Sequence, residues 1–179
     1  MKTLKLTTIC FTLFLLISCN STQQDKPVVV STIGMIHSMV EEIAKDQVTA
    51  INLMGPGIDP HLYKASAGDV KTLTSANLIL YNGLHLEAKI IDILKKMKQP
   101  AVAVTASMPT KKLIQPPEYD GFYDPHVWFD VTLWQLAASE VLNALVMIDP
   151  KNKLSYQKNH ANYQQKLQNL DLWIKQKIA

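Results

Sequence analysis

The chain has 179 residues, 47% of them hydrophobic, enough for one globular domain with a real core. Its 18 basic residues nearly balance 15 acidic ones, and every basic residue is a lysine. Without an arginine fork or a basic block, nucleic acid is excluded as the expected partner. Cys10 and Cys19 both lie near the amino terminus. A disulfide, a catalytic thiol, Cys-ligated zinc and an iron–sulfur cluster are therefore excluded from the body of the protein.

Lys2 and Lys5 precede an apolar run over residues 6–17. About a dozen residues falls short of the roughly 20 that a membrane-spanning helix needs, but it suits a secretory signal. Leu16-Ile17-Ser18-Cys19 reads as a lipobox. The expected processing is diacylglyceryl transfer to the Cys19 thiol, cleavage after Ser18 and acylation of the new amino terminus. Several acyl chains would anchor the protein stably in membrane lipid. The competing reading is an ordinary signal peptide with an incidental cysteine. The expected plan is a signal peptide over 1–18, a polar tether over 19–27, an α/β lobe over 28–150 and a long helix over 151–179. The expected location is the cell envelope, exported and lipid-anchored.

Residues 28–33 form a β-branched run without alternation, the pattern of a strand buried on both faces. Gly34 breaks it, and Met35, Ile36, Met39, Val40 and Ile43 follow at helical spacing. A second strand is expected over 48–54, ended by Gly55-Pro56-Gly57. A short helix over 68–75, a third strand over 77–81, a helix over 86–97 and a fourth strand over 101–105 follow. Residues 108–124, with Pro109, Pro116, Pro117 and Gly121, read as a loop. A helix over 132–147 ends before Asp149-Pro150. A last amphipathic helix over 154–178 carries Tyr156, Tyr163, Leu167, Leu170, Trp173, Ile174 and Ile178 on one stripe. The order predicts an α/β fold: a doubly wound, mainly parallel sheet flanked by helices, plus a long C-terminal helix. The apolar stripe runs to Ala179 without a cap, which suggests a lost continuation or partner.

The tripeptide Asp-Pro-His occurs twice, in Asp59-Pro60-His61-Leu62-Tyr63 and Asp124-Pro125-His126-Val127-Trp128. Composition gives a chance count on the order of a hundredth. Proline fixes its own φ and biases the preceding aspartate away from helix, so each imidazole is presented on a stiffened loop. The aliphatic and aromatic residues that follow are expected to bury and hold the loop. Strand order places His61 at the carboxyl edge of the sheet, where open α/β sheets bind ligands. His61 and His126 are the expected metal ligands. Asp59 and Asp124 could accept the second ring N–H of a histidine or cap local backbone donors, and both readings stay open. His85 could support a ligand from behind, the structural reading being the stronger. His37 and His160 read as solvated, and Trp128, Trp134 and Trp173 as core.

At these residues the chain resembles a family. The segments Met54 to Val70, Tyr81-Asn-Gly-Leu-His-Leu-Glu87 and Asp124-Pro-His-Val-Trp-Phe-Asp130 are similar to the zinc/manganese-type substrate-binding lipoproteins of bacterial ABC importers. The resemblance covers everything from about Val28 onward. It implies two α/β lobes joined by a long helix, with a divalent metal held between them. His61 and His126 match the two ligands of the amino-terminal lobe, and the family's third (His or Glu) and fourth (Asp) come from the other lobe. The chain is expected to stop inside the connecting helix, so that lobe is absent. The bound ion is expected to be Mn2+ or Zn2+, with Fe2+ an option, and no organic cofactor is expected. The missing His-rich loop favours manganese or mixed specificity. The implied protein is a monomer and not an enzyme, its partner an ABC permease. Two rival readings are a metallohydrolase built on the His pair and a weakly binding or non-functional gene fragment. The first lacks a His-Glu-x-x-His helix or a comparable carboxylate cluster.

Overall fold

The computed structural model describes residues 25–178, so the signal peptide, the lipobox with Cys19 and most of the tether lie outside the described residues. Four strands form one parallel sheet: β1 (Val28–Ser31), β2 (Thr49–Asn52), β3 (Leu78–Tyr81) and β4 (Ala101–Ala103). Their order is β2-β1-β3-β4. The central strands are the apolar ones, as burial on both faces requires: Val29, Val30, Leu78, Ile79 and Leu80 are fully buried.

Among the described residues five α-helices complete the fold: α1 (Gly34–Ala44), α2 (Ala67–Ser75), α3 (Ile91–Lys95), α4 (Val131–Ile148) and α5 (Lys153–Ile178). The chain leaves β1 toward β2, then returns past β1 to β3 and β4. Right-handed crossovers therefore place α1 on one face and α2 and α3 on the other. The winding changes direction between β1 and β3, the point at which open sheets form a ligand crevice. α1 buries Ile36, Met39, Val40, Ile43 and Ala44, a three- and four-residue stripe. α4 packs against α1 and β3, and α5 lies across α1 and α4.

α4 begins where Asp130 accepts the N–H groups of Thr132 (2.7 Å) and Leu133 (3.2 Å). Its composition would suit a membrane span, but Val131, Leu133, Trp134, Ala137 and Val141 are among eight residues buried in the core. α5 is fastened at its start: Asp149, itself buried, accepts the Tyr156 hydroxyl at 2.6 Å and Asn152 Nδ2 at 2.7 Å. Burial and the adjacent Asp149 carboxylate push the Tyr156 pKa well up.

Four expectations are corrected. Residues 86–97 form only the short α3, because Leu84 (φ 51°) and His85 (φ 67°) take left-handed backbone and residues 84–90 run as turns. Trp173 is 56% exposed, with Leu170 and Ile178, while Tyr156 and Leu167 are buried. α5 has 26 residues against the 18 of the antiparallel α4, so its distal turns outrun the helix that would cover them. His160 is not solvated: its Nε2 lies 3.3 Å from Ser139 Oγ on α4 and 3.0 Å from Gln164 Nε2, and burial lowers its pKa. His37 pairs with Glu41 at 3.5 Å and carries a buried Nδ1.

One buried acid ties the carboxyl ends of β1 and β3. Glu87 accepts the Thr32 hydroxyl (2.7 Å), the Asn82 N–H (2.7 Å) and the Gly83 N–H (3.1 Å). The turn it braces needs glycine: Gly83 has φ 85°, and a Cβ there would meet Thr105 Oγ1 at 2.8 Å.

Two outcomes are expected. Tyr156→Phe removes one of the two donors to Asp149 Oδ2, leaving Asn152 in place, and should cost about 1 kcal/mol in urea unfolding; an unchanged midpoint would remove this bond as the fastening of α5. Burial raises the Glu87 carboxyl above its ordinary 4.5, only partly offset by its three donors. A raised folded-state value means that its stabilising contribution is full below about 4.5 and fades as pH rises through the raised value. Thermal melts across that range should therefore show a shallower decline with rising pH for Glu87→Gln than for the parent. Identical pH slopes would contradict the assignment.

Candidate metal centre

Both Asp-Pro-His segments lie at the carboxyl edge of the sheet, and both are closed in the same way. Asp59 Oδ1 accepts the His61 backbone N–H at 2.9 Å, and Asp124 Oδ1 accepts that of His126 at 2.9 Å. In each case the carboxylate caps a donor two residues on, with proline between them. The alternatives left open for the aspartates resolve differently. Asp59 caps its backbone donor, whereas Asp124 does this and also meets the His126 ring, Nδ1 to Oδ1 at 2.6 Å. Donation from the His126 backbone N–H, and then from its ring, holds the Asp124 carboxyl below its usual range.

The first loop departs from β2, an edge strand, and is not buried as expected: Ile58 is 48% and Leu62 68% exposed. It is anchored further along. Ser66 and Asp69 form a reciprocal capping box at the start of α2. The Tyr63 phenol faces Asp69, and partial burial together with that carboxylate pushes its pKa up to about 12. The second loop meets the expectation better: Val127 is buried, and Trp128 sets its ring edge-on to His126 with centroids 5.2 Å apart.

The two rings, 65 positions apart in sequence, meet at the edge of the sheet with Nε2 atoms 3.3 Å apart. A carboxylate only accepts, so His126 Nδ1 donates to Asp124, the tautomer that leaves Nε2 available to a metal. Two nitrogens bound to one zinc at about 2.0–2.1 Å with a tetrahedral angle near 109° would lie about 3.3 Å apart. The observed separation therefore suits a shared divalent ion with little movement of either ring. Among the described residues no group of three His, Cys, Asp or Glu side chains converges. The pair is thus a two-donor arrangement, open on its outer side.

That side faces a concave opening of about 720 Å3 lined by His61, His126, Leu84, His85, Phe122 and Tyr123. His85 reaches its rim, with its ring edge-on to Phe122 at 4.0 Å. Among the described residues it makes no hydrogen bond with His61 or His126. Three residues near the pair carried no expected role: Thr32, Asn82 and Glu87, all buried. Asn82 Nδ2 donates to the Pro125 carbonyl at 2.9 Å, directly before His126. A carboxylate in the apolar stretch Leu84-His-Leu-Glu87, just after a strand, was the signal available for this network.

Comparison with known proteins places this geometry in context. A family model described as ZnuA, the periplasmic zinc-uptake complex component A, matches residues 29–179. The zinc-binding protein TroA of Treponema pallidum is 44% identical over 154 residues, covering 85% of this chain and 49% of TroA. The manganese-binding lipoprotein MntA of Bacillus subtilis is 39% identical over 178 residues, 96% of this chain and 58% of MntA. The iron ABC transporter substrate-binding lipoprotein MtsA of Streptococcus pyogenes is 30% identical over 177 residues, 92% of this chain and 57% of MtsA. The solved structure of TroA superimposes with a TM-score of 0.81 at 43% identity, over 85% of this chain and 55% of that one. The chain thus spans about half the length of the curated relatives it matches. With the parallel sheet, the two histidine loops and this family match in agreement, the chain belongs to the ZnuA family of metal-binding substrate-binding proteins of ABC transporters.

Proposed function

We propose that this chain captures a divalent cation, manganese or zinc with iron(II) as a further candidate, for delivery to an ABC permease in the membrane. His61 and His126 bind the ion through Nε2, and Asp124 holds His126 in the tautomer that leaves that nitrogen free. Residues 28–150 act as the metal-binding lobe, and residues 151–179 begin a helix leading toward a second lobe. Acylated Cys19 tethers the exported protein to the envelope. The observation that carries this reading is the 3.3 Å approach of two Nε2 atoms, with a carboxylate 2.6 Å behind one of them. A carboxylate on the far ring nitrogen raises ligand basicity and fixes ring orientation.

Two imidazoles do not choose a metal. Preference comes from ligand number, type and geometry, and a neutral nitrogen pair suits zinc, iron and copper alike. A closed zinc site needs about four ligands. Water, or donors from outside this chain, complete the sphere, so the chain by itself binds weakly and exchanges its ion readily. Capture and release fit that arrangement; hydrolysis does not. A metallohydrolase needs a general base at the metal, and the buried acid near this edge, Glu87, already accepts three internal donors.

Calorimetric titration of the chain with Zn2+ and Mn2+ should give dissociation constants in the micromolar range or weaker, and His61→Ala and His126→Ala should each abolish the metal-dependent rise in melting temperature. Sub-micromolar stoichiometric binding that survives both substitutions would refute the site. Asp124→Asn leaves both imidazoles in place while weakening the ring contact, and should lower zinc affinity by about tenfold to a hundredfold. Unchanged affinity in that variant would remove Asp124 from the site.

A further inference from the structure

We infer that Asn82 is the positioning residue for the second histidine loop: its side-chain amide holds the Pro125 carbonyl and so fixes where His126 stands relative to His61. The inference rests on the proposed metal role of that pair.

Asn82 is fully buried at the end of β3, and both its backbone groups are engaged. Its N–H donates to Glu87 Oε1 at 2.7 Å, and its carbonyl accepts the Thr105 hydroxyl at 2.6 Å. The side chain therefore projects from a pinned backbone. Its Nδ2 donates to the Gly83 carbonyl at 3.1 Å and to the Pro125 carbonyl at 2.9 Å. Both partners are acceptors only, which fixes the amide orientation with nitrogen toward the loop. Pro125 has no N–H, so this carbonyl is the one backbone hydrogen-bonding group it can offer the lobe.

The second loop follows a long irregular stretch, residues 104–126, that crosses the sheet edge through two short 3-10 turns. Asp124 closes the loop locally and Val127 buries just beyond it, yet neither links it to the strand ends beneath. Asn82 does, across 43 positions of sequence. Glu87, bonded to both Thr32 after β1 and Asn82 after β3, carries the linkage to the point where the sheet changes direction. The spacing of the two Nε2 atoms thus depends on a buried amide that touches neither of them. A displacement of about 1 Å at a binding constellation is enough to loosen it.

The test is a double-mutant cycle read with Cu2+, which binds a given nitrogen site more tightly than Zn2+ does. Asn82→Ala and Asn82→Ser are each combined with His126→Ala and, separately, with His61→Ala. Copper affinity is measured by titration, and bound nitrogens are counted by electron paramagnetic resonance. The expected result is about a tenfold loss for Asn82→Ala in the parent chain, vanishing in both the His61→Ala and the His126→Ala backgrounds, because a single imidazole leaves no spacing to set. The resonance should report two imidazole nitrogens in the parent and a mixture of one and two in Asn82→Ala. A tenfold loss that persists in either histidine background, or no loss in the parent, overturns the inference while leaving the His pair intact. If the histidine substitutions themselves change nothing, the metal reading fails and the inference with it. If neither Asn82 variant folds, Asn82 is a core fixture and the inference is withdrawn.

Discussion

Each histidine loop carries the same closing hydrogen bond, from the His backbone N–H to the Asp carboxylate two residues earlier, at 2.9 Å in both. Proline makes this bond inexpensive: it removes one backbone donor, narrows two sets of dihedrals and leaves the chain with few other conformations. The imidazole then starts from a fixed backbone position, and only its ring torsions remain to be set. Everything else at the sheet edge serves to bring two such loops to one point.

The two loops reach that point by different physics. The first leaves an edge strand with its aliphatic residue exposed and is held downstream by the capping box of α2. The second is held from beneath by Asn82, from behind by Asp124 and at its end by buried Val127. Under the proposed metal role, loop one is the more weakly held partner and loop two the reference position. A binding protein that must also let go of its cargo gains from this asymmetry, because opening need disturb only the weakly held partner. The parallel sheet itself, with Val29 and Val30 of β1 and Leu78, Ile79 and Leu80 of β3 fully buried, carries the rigidity on which both loops stand.

The alternation of strands and helices and the histidine loops were legible in the sequence because they rest on local signals: β-branched runs, Gly-Pro turns and a repeated tripeptide. Five helices and four strands fall near the expected segments, with strand ends trimmed by one or two residues. The exceptions have non-local causes. The turn at Leu84 and His85 replaces helix because a carboxylate at Glu87 folds back onto Asn82 and Gly83, a contact that no propensity encodes. The exposure of Trp173 follows from the unequal lengths of α4 and α5 rather than from its own polarity. The motif alone left both aspartates ambiguous. Only the packed geometry separates Asp59, which caps backbone, from Asp124, which also orients a ring.

The central claim is that both imidazoles bind one ion through Nε2. X-ray absorption at the zinc edge, on the chain loaded with one equivalent of Zn2+, addresses it directly. The account predicts two imidazole scatterers at about 2.0–2.1 Å with oxygen completing the shell, falling to one imidazole in either His61→Ala or His126→Ala. A parent spectrum with one imidazole or none, or one unchanged by those substitutions, would contradict it.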